Sequence, residues 1–221
     1  MQDSLRIGTR GWRYQAWDGT FYDADLPPEW QLSWYANHLR SVLIPADGLH
    51  QMSPDRVRCW VEDTDPEFRF IATIDPVQFP PDCREAMLPD LEALVVAFGE
   101  QLDALVVDVG GNLSAIQRFL ERLRSTFPDL PVCLEGLPAH KLPHGFGGCF
   151  NGEEDFLFSD SPYTILYQSD GDLSTVRTII ETMQRSSIEV GALIFSDPDL
   201  AFDHSGQART VAYLLEALWI L

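Results

Sequence analysis

Residues Ile7 to Tyr22 read IGTRGWRYQAWDGTFY, and this stretch decides between the two common ways of folding an α/β chain. Leu5 to Thr9 reads as a short strand. The turn that follows lacks the GxGxxG spacing of a dinucleotide site. No GxxxxGKS/T loop occurs in the chain either, so no motif supports nucleotide-phosphate binding. The turn instead carries Trp12, Tyr14 and Trp17. Gly8 and Gly11 flank the strand end, which suits a backbone brought close to a ligand. A planar ring, a sugar or a cation could stack on such aromatics. Packing is the competing role: Trp12 and Trp17 could equally plug a barrel mouth or rest on Trp30 and Trp34.

Working outward, short apolar runs alternate with amphipathic stretches. Strands are expected at Ser41 to Ala46, with Pro45 at the end, then at Phe68 to Ile74, Ala104 to Val109 and Val132 to Glu135. Further strands are expected at Asp155 to Phe158, Tyr163 to Gln168 and Ala192 to Phe195. Helices are expected at Pro28 to Leu39, Leu88 to Gln101, Ser114 to Thr126, Leu173 to Arg185 and Gly206 to Trp219. Another begins at Pro54, capped by Ser53, and runs to about Glu62. Ala139 to Gly152 is rich in Gly, His and Pro and reads as loop. Near-alternation of about eight strands with six helices implies parallel strands joined by right-handed crossovers. Eight strands point to a closed, TIM-like (β/α) barrel with one or two helices eroded; an open doubly wound sheet is the alternative. No repeat or linker divides the chain, so residues 1–221 are expected to form one domain.

The chain has 15 Lys and Arg against 34 Asp and Glu, a formal charge of −19. Such a surface repels nucleic acid and anionic membranes. It serves solubility, or else a cationic ligand or partner. Cys59, Cys83, Cys133 and Cys149 form no CxxC pair and match no zinc spacing, so reduced thiols are expected. Cys149, in the glycine-rich run GFGGCFNG, is a candidate reactive thiol. The N-terminus lacks a signal-peptide pattern and no run of about 18 apolar residues occurs. The cytoplasm is the expected compartment.

The Ile7 to Tyr22 segment resembles the opening of the YecE-like family (domain of unknown function 72), which begins with a strand and then G-T-x-G-W-x-Y-x-x-W-x-G-x-F-Y. Gly8, Thr9, Gly11, Trp12, Tyr14, Trp17, Gly19, Phe21 and Tyr22 all match. Leu26-Pro27, Tyr35-Ala36, Ser53 with Val57 and Trp60, Phe68 to Phe70 and Glu135 continue the likeness. The resemblance implies a TIM-like barrel. It also exposes departures. Where the family's second strand ends in Glu-x-Asn, this chain has Leu43, Ile44 and Pro45. Thr73 replaces a lysine of the third strand and Leu137 an arginine after the fifth. Leu166 and Gln168 stand for an Arg and a His, and Ser196-Asp197 for an Asn-Asn pair. If the family is enzymatic, these replacements imply lost or altered activity.

Residues just beyond the C-terminal ends of barrel strands surround the site. Here these are Thr9, Asp47, Asp75, Asp108, Glu135, Asp160, Asp170 and Asp197, with His50, His140, His144 and His204 in the same loops. A ring of this kind could hold a divalent metal that activates water, although no compact ligand motif supports one. Crowded carboxylates also raise one another's pKa. A glycosidase needs two carboxylates at a set separation, and Asp108 with Glu135 is the candidate catalytic pair. Asp is equally a turn and N-cap residue. Two readings follow. One is a small-ligand binder without efficient catalysis, using Thr9, Trp12, Tyr14, Trp17 and Asp197. The other is a hydrolase- or isomerase-like enzyme with an acidic, metal-dependent rim. No motif requires a cofactor.

Overall fold

The computed structural model describes residues 5–49, 52–151, 161–169, 172–185 and 190–218. Eight parallel strands close into a barrel in chain order: β1 (Leu5–Arg10), β2 (Ser41–Ile44), β3 (Arg69–Ile74), β4 (Leu102–Asp108), β5 (Val132–Glu135), β6 (Gly147–Asn151), β7 (Tyr163–Gln168) and β8 (Val190–Phe195). The ring is completed by β8 against β1, from Leu5↔Gly191 to Thr9↔Phe195. The helices are α1 (Gln31–Ala36), α2 (Ala46–Leu49), α3 (Pro54–Glu62), α4 (Pro81–Arg84), α5 (Leu88–Phe98), α6 (Gln117–Thr126), α7 (Leu173–Arg185) and α8 (Ala201–Leu218). The barrel expected from alternation is therefore the one observed, and the open sheet is not. Among the described residues, no helix is long and apolar enough to cross a membrane.

Local chemistry accounts for many of the boundaries. Pro45 cannot donate to a ladder, so β2 stops at Ile44. Ser53 caps α3, its Oγ accepting from the Arg56 amide at 3.3 Å, with Pro54 at the first helical position. Asp197 starts α8, accepting from the amides of Asp199 and Leu200. Between β5 and β6 the described chain has only a single 3-10 turn, Ala139–Lys141, which is the eroded helix. The expected loop over Ala139 to Gly152 is corrected in one respect, because its last part is strand β6. The glycines there are not turn residues. A Cβ on Gly147 would strike the Cys133 sulfur and the Tyr163 carbonyl, so this slot of the barrel wall admits no side chain. The strand expected at Asp155 to Phe158 lies outside the described residues, as do Asp160, Asp170 and His50.

Strand side chains alternate between two apolar compartments. Leu43, Ile71, Ala104, Val106, Cys133, Cys149, Ile165, Tyr167, Ala192 and Ile194 fill the barrel interior. Val42, Ile44, Phe70, Leu105, Leu134, Leu166 and Leu193 face the helices. The bottom of the barrel is plugged by charge. Arg6 of β1 donates to Asp103 of β4 at 3.1 Å, and the Tyr163 hydroxyl of β7 donates to the same carboxylate at 2.5 Å.

Gly8 sits where β1 presses on β2, and a Cβ there would overlap the Ser41 backbone carbonyl. Gly8→Ala is expected to lower stability by about 1–3 kcal/mol. Gly206, inside α8 with open space around it, provides the contrast: Gly206→Ala should raise stability by about 0.5–1 kcal/mol. Urea denaturation of both variants reads the two signs, and a Gly8→Ala variant as stable as the parent would contradict this packing.

Candidate functional site

The pleat of β1 determines what reaches the mouth. Arg6 and Arg10 lie on one face of the strand and Ile7 and Thr9 on the other. Thr9 is fully buried against α1, where the Tyr35 hydroxyl meets its amide at 3.2 Å and its Oγ1 at 3.1 Å. The Tyr35 hydroxyl itself donates to the Ser41 carbonyl at 2.8 Å, so one phenol ties α1 to β1 and β2. Thr9 thus belongs to the packing layer rather than to a ligand surface. Arg10 takes the opposite side. Its guanidinium stands 3.7 Å from Glu135 of β5 and 5.7 Å from the ring centre of Tyr167 on β7. Strand β5 lies across the barrel from β1, so this side chain spans the mouth.

Asp108 and Glu135 are register partners on adjacent strands, which places their backbones about 4.8 Å apart. The candidate catalytic pair is therefore brought together. Burial pushes the Glu135 carboxyl above the usual carboxylate range. Arg10 opposes that rise, while Asp108 and Asp75 add to it. The two aspartates are also turn formers: Asp108 accepts from the Gly110 amide at 2.8 Å, and Asp75 from Val77 at 3.0 Å. Tyr167 borders Glu135 and Cys149, and its buried hydroxyl, like Arg10, opposes the rise at Glu135. The Cys149 thiol lies within the barrel beside Cys133, and burial pushes its pKa well up. It is held as an inert thiol rather than a nucleophile.

Beyond Arg10 the chain turns at Gly11, whose φ of 86° suits glycine, and its amide still bonds the Leu43 carbonyl at 2.7 Å. The aromatic residues then diverge. Trp17 is buried in the helix layer, stacked over Tyr35 at 6.4 Å and edge-on to Phe202 of α8 at 6.1 Å. Of the two roles open to it, packing is the one it fills. Trp12 is 5% exposed and meets Trp60 of α3 edge-to-face at 4.8 Å. Tyr14 is half-buried, its hydroxyl donating to the Arg10 carbonyl. Burial raises its pKa, Arg10 opposes this, and Asp197 adds to it, so Tyr14 and Asp197 are neighbours.

Trp12 and Tyr14, but not Trp17, border a cavity of about 470 Å³ at the C-terminal end of β1 and β2, with Trp60, Arg10, Arg13 and Arg56 also in its wall. Asp47 is also in the wall, whereas Asp75, Asp108, Glu135 and Asp197 are not. His140 and His144 are exposed. His204 is half-buried on α8 against Phe195. Among the described residues, no three His, Cys, Asp or Glu side chains are grouped to hold a metal. The sequence reading missed Arg10, Arg13, Arg56 and Tyr167. The available signal was the period-two pattern of β1 and β7, which puts Arg10 with Arg6 and Tyr167 with Ile165.

The match with a family model described as a protein of unknown function, DUF72, covers residues 6–136. A DUF72 protein of Enterococcus faecalis superposes with a TM-score of 0.67 at 15% identity, over 95% of each chain. One from Thermotoga maritima gives 0.65 at 15% identity, over 99% of this chain and 100% of that one. A β-1,4-mannanase from the sea hare Aplysia kurodai gives 0.55 at 9% identity, over 95% and 92%; at such identity the likeness shows the barrel fold alone. No curated protein sequence matches the chain.

Because the Glu135 carboxyl has a higher pKa folded than unfolded, its contribution to stability is present at low pH and lost as pH rises through the folded value. Glu135→Gln has no such proton to lose. Its melting temperature, relative to the parent, is expected to move in its favour between pH 4 and pH 7. A difference that is flat or moves the other way would contradict the environment described.

Proposed function

The chain belongs to the DUF72 family, and from that premise we propose that it binds a small ligand at the C-terminal mouth of its barrel without efficient catalysis. The observation that carries this reading is the cavity of about 470 Å³ between β1, β2 and α3. Its volume lies in the range of small-molecule pockets, and aromatic walls with a few convergent polar groups are their usual lining. It sits at the end of the barrel where such folds place their ligands. Trp12 and Tyr14 form its aromatic side, and the Asp197 charge acts on Tyr14 from outside the wall.

Weak or absent turnover is supported by what surrounds the acids. Leu43, where the family pattern has a glutamate, is a fully buried apolar residue of the barrel interior. Asp108 and Asp75 are held in turn hydrogen bonds. The second reading, hydrolysis or isomerisation by Asp108 and Glu135, is favoured by the raised Glu135 carboxyl beside a second carboxylate, the pairing a general acid needs.

Met52 lines the cavity with Trp12 and Trp60, so Met52→Trp should fill it. Compounds that stabilise the parent in a thermal-shift screen of small metabolites are expected to bind Met52→Trp at least tenfold more weakly, with the variant's own melting temperature little changed. Equal binding by both proteins would overturn the assignment of the site. With chromogenic aryl glycosides and esters, no release beyond that of an Asp108→Asn/Glu135→Gln variant is expected; release that this variant abolishes would establish the enzymatic reading instead.

A further inference from the structure

The cavity has a charge opposite to that of the chain around it. Acids outnumber bases by 34 to 15 over the whole sequence. In the cavity wall the balance is reversed, with Arg10, Arg13 and Arg56 against Asp47 alone. The three arginines come from separate places: the end of β1, the loop after it, and the first turns of α3. Arg13 and Arg56 lie close enough to repel, since burial first and Arg56 second lower the pKa of the Arg13 guanidinium. Among the described residues neither makes an ion pair with a carboxylate. Arg13 is held from behind, donating to the Pro28 carbonyl at 3.3 Å and lying 5.9 Å from the Trp12 ring centre. Tyr22 and Glu29 offset part of this repulsion at Arg13, and an anion between the two guanidinium groups relieves it further.

Building on the mouth-binding reading, we infer that the ligand is a small organic anion, a carboxylate or phosphate ester with an apolar or planar body. Arg13 and Arg56 grip the acid group, and Trp12, Trp60 and Ile44 hold the body. Guanidinium forks match carboxylate and phosphate oxygens in a bidentate fashion. The indoles supply apolar contact of the kind such pockets use. The excess of acids reads as a solubility surface or, alternatively, as a site for a cationic ligand; at this cavity the local balance favours an anion instead. The same overall charge selects for small anions against polyanions: a nucleic acid cannot confine its contact to the cavity and meets the acidic surface around it. A small anion inside feels the near arginines most, because charges beyond about 8 Å are screened at physiological salt.

The test uses the full chain with phenyl phosphate and benzoate as anions, and benzyl alcohol and benzylamine as neutral and cationic counterparts of similar shape. Calorimetry measures affinity, and the indole N–H signals in an NMR titration place the ligand. At least one anion is expected to bind and shift the indoles of Trp12 and Trp60, with each of Arg13→Gln and Arg56→Gln weakening it at least tenfold. Both arginines are exposed, so the unliganded variants should remain folded; Arg56→Gln, which relieves repulsion, should melt no lower than the parent, and Arg13→Gln, which also loses the Pro28 contact, only slightly lower. Arg56→Lys, which keeps the charge and loses the fork, should bind with intermediate affinity. Failure of both anions to bind, or equal binding by the Arg13→Gln/Arg56→Gln variant, overturns the proposal. If benzyl alcohol or benzylamine binds at Trp12 and Trp60 while the anions do not, the anion assignment fails and the mouth-binding reading stands. If nothing shifts those indoles, both fail.

Discussion

The alternation of six residues in β1 is the constraint from which the rest of the arrangement follows. Pairing with β8 and β2 fixes the strand's pleat, and a slip of one residue would exchange its faces. In the observed register Arg6 and Arg10 enter the barrel, whereas Ile7 and Thr9 face the helices. Each arginine then reaches across the ring, Arg6 to Asp103 on β4 at the bottom and Arg10 to Glu135 on β5 at the mouth. One strand therefore supplies a cation at both ends of the barrel, joined at the bottom by Arg69 of β3, 3.9 Å from the same Asp103. On the outer face Thr9 receives Tyr35, and the same phenol reaches β2.

The interior of the barrel accommodates these charged spans by keeping other positions small. Gly8 and Gly147 stand where neighbouring backbone or a thiol leaves no space, and Ala104 and Ala192 are among the packed interior residues. Burial at the mouth then acts on titrating groups in opposite ways. It raises the Glu135 carboxyl and the Cys149 thiol, favouring their neutral forms, and lowers the Arg13 guanidinium. Much of the ring of acids read from strand ends is occupied with turns and a helix cap, as the amide contacts to Asp75, Asp108 and Asp197 show.

Most of the fold was legible in the sequence because parallel strands buried on both faces read as apolar runs, and β5, β7 and α7 have the expected limits. Strand β6 was not legible. Its sequence, GGCFN, carries Gly147 for a steric reason that depends on Cys133 and Tyr163 of other strands, and Gly148 for one that depends on Phe150 and Leu142. At the site, the pairing of Asp108 with Glu135 was legible because both close neighbouring strands. The aromatic loop was legible as a feature but not in its division of labour. Trp12 and Trp17 look alike in sequence, yet one turns to α3 at the cavity and the other to α1 and α8. Arg10, Arg13 and Arg56 were passed over because a charged residue in an acid-rich chain reads as surface. Only the closed ring brings β1 and α3 around one cavity.

The central claim is that β1 turns Arg10 inward, across the mouth, to face Glu135. A side-chain ¹³C titration of the Glu135 carboxyl, in the parent and in Arg10→Met, tests it most directly. The account predicts a Glu135 pKa above the usual carboxylate range in the parent and a further rise in Arg10→Met, since the arginine opposes burial more than the Tyr167 hydroxyl, the other group that lowers this pKa, does. An ordinary pKa in the parent, or one unchanged by the substitution, would contradict it.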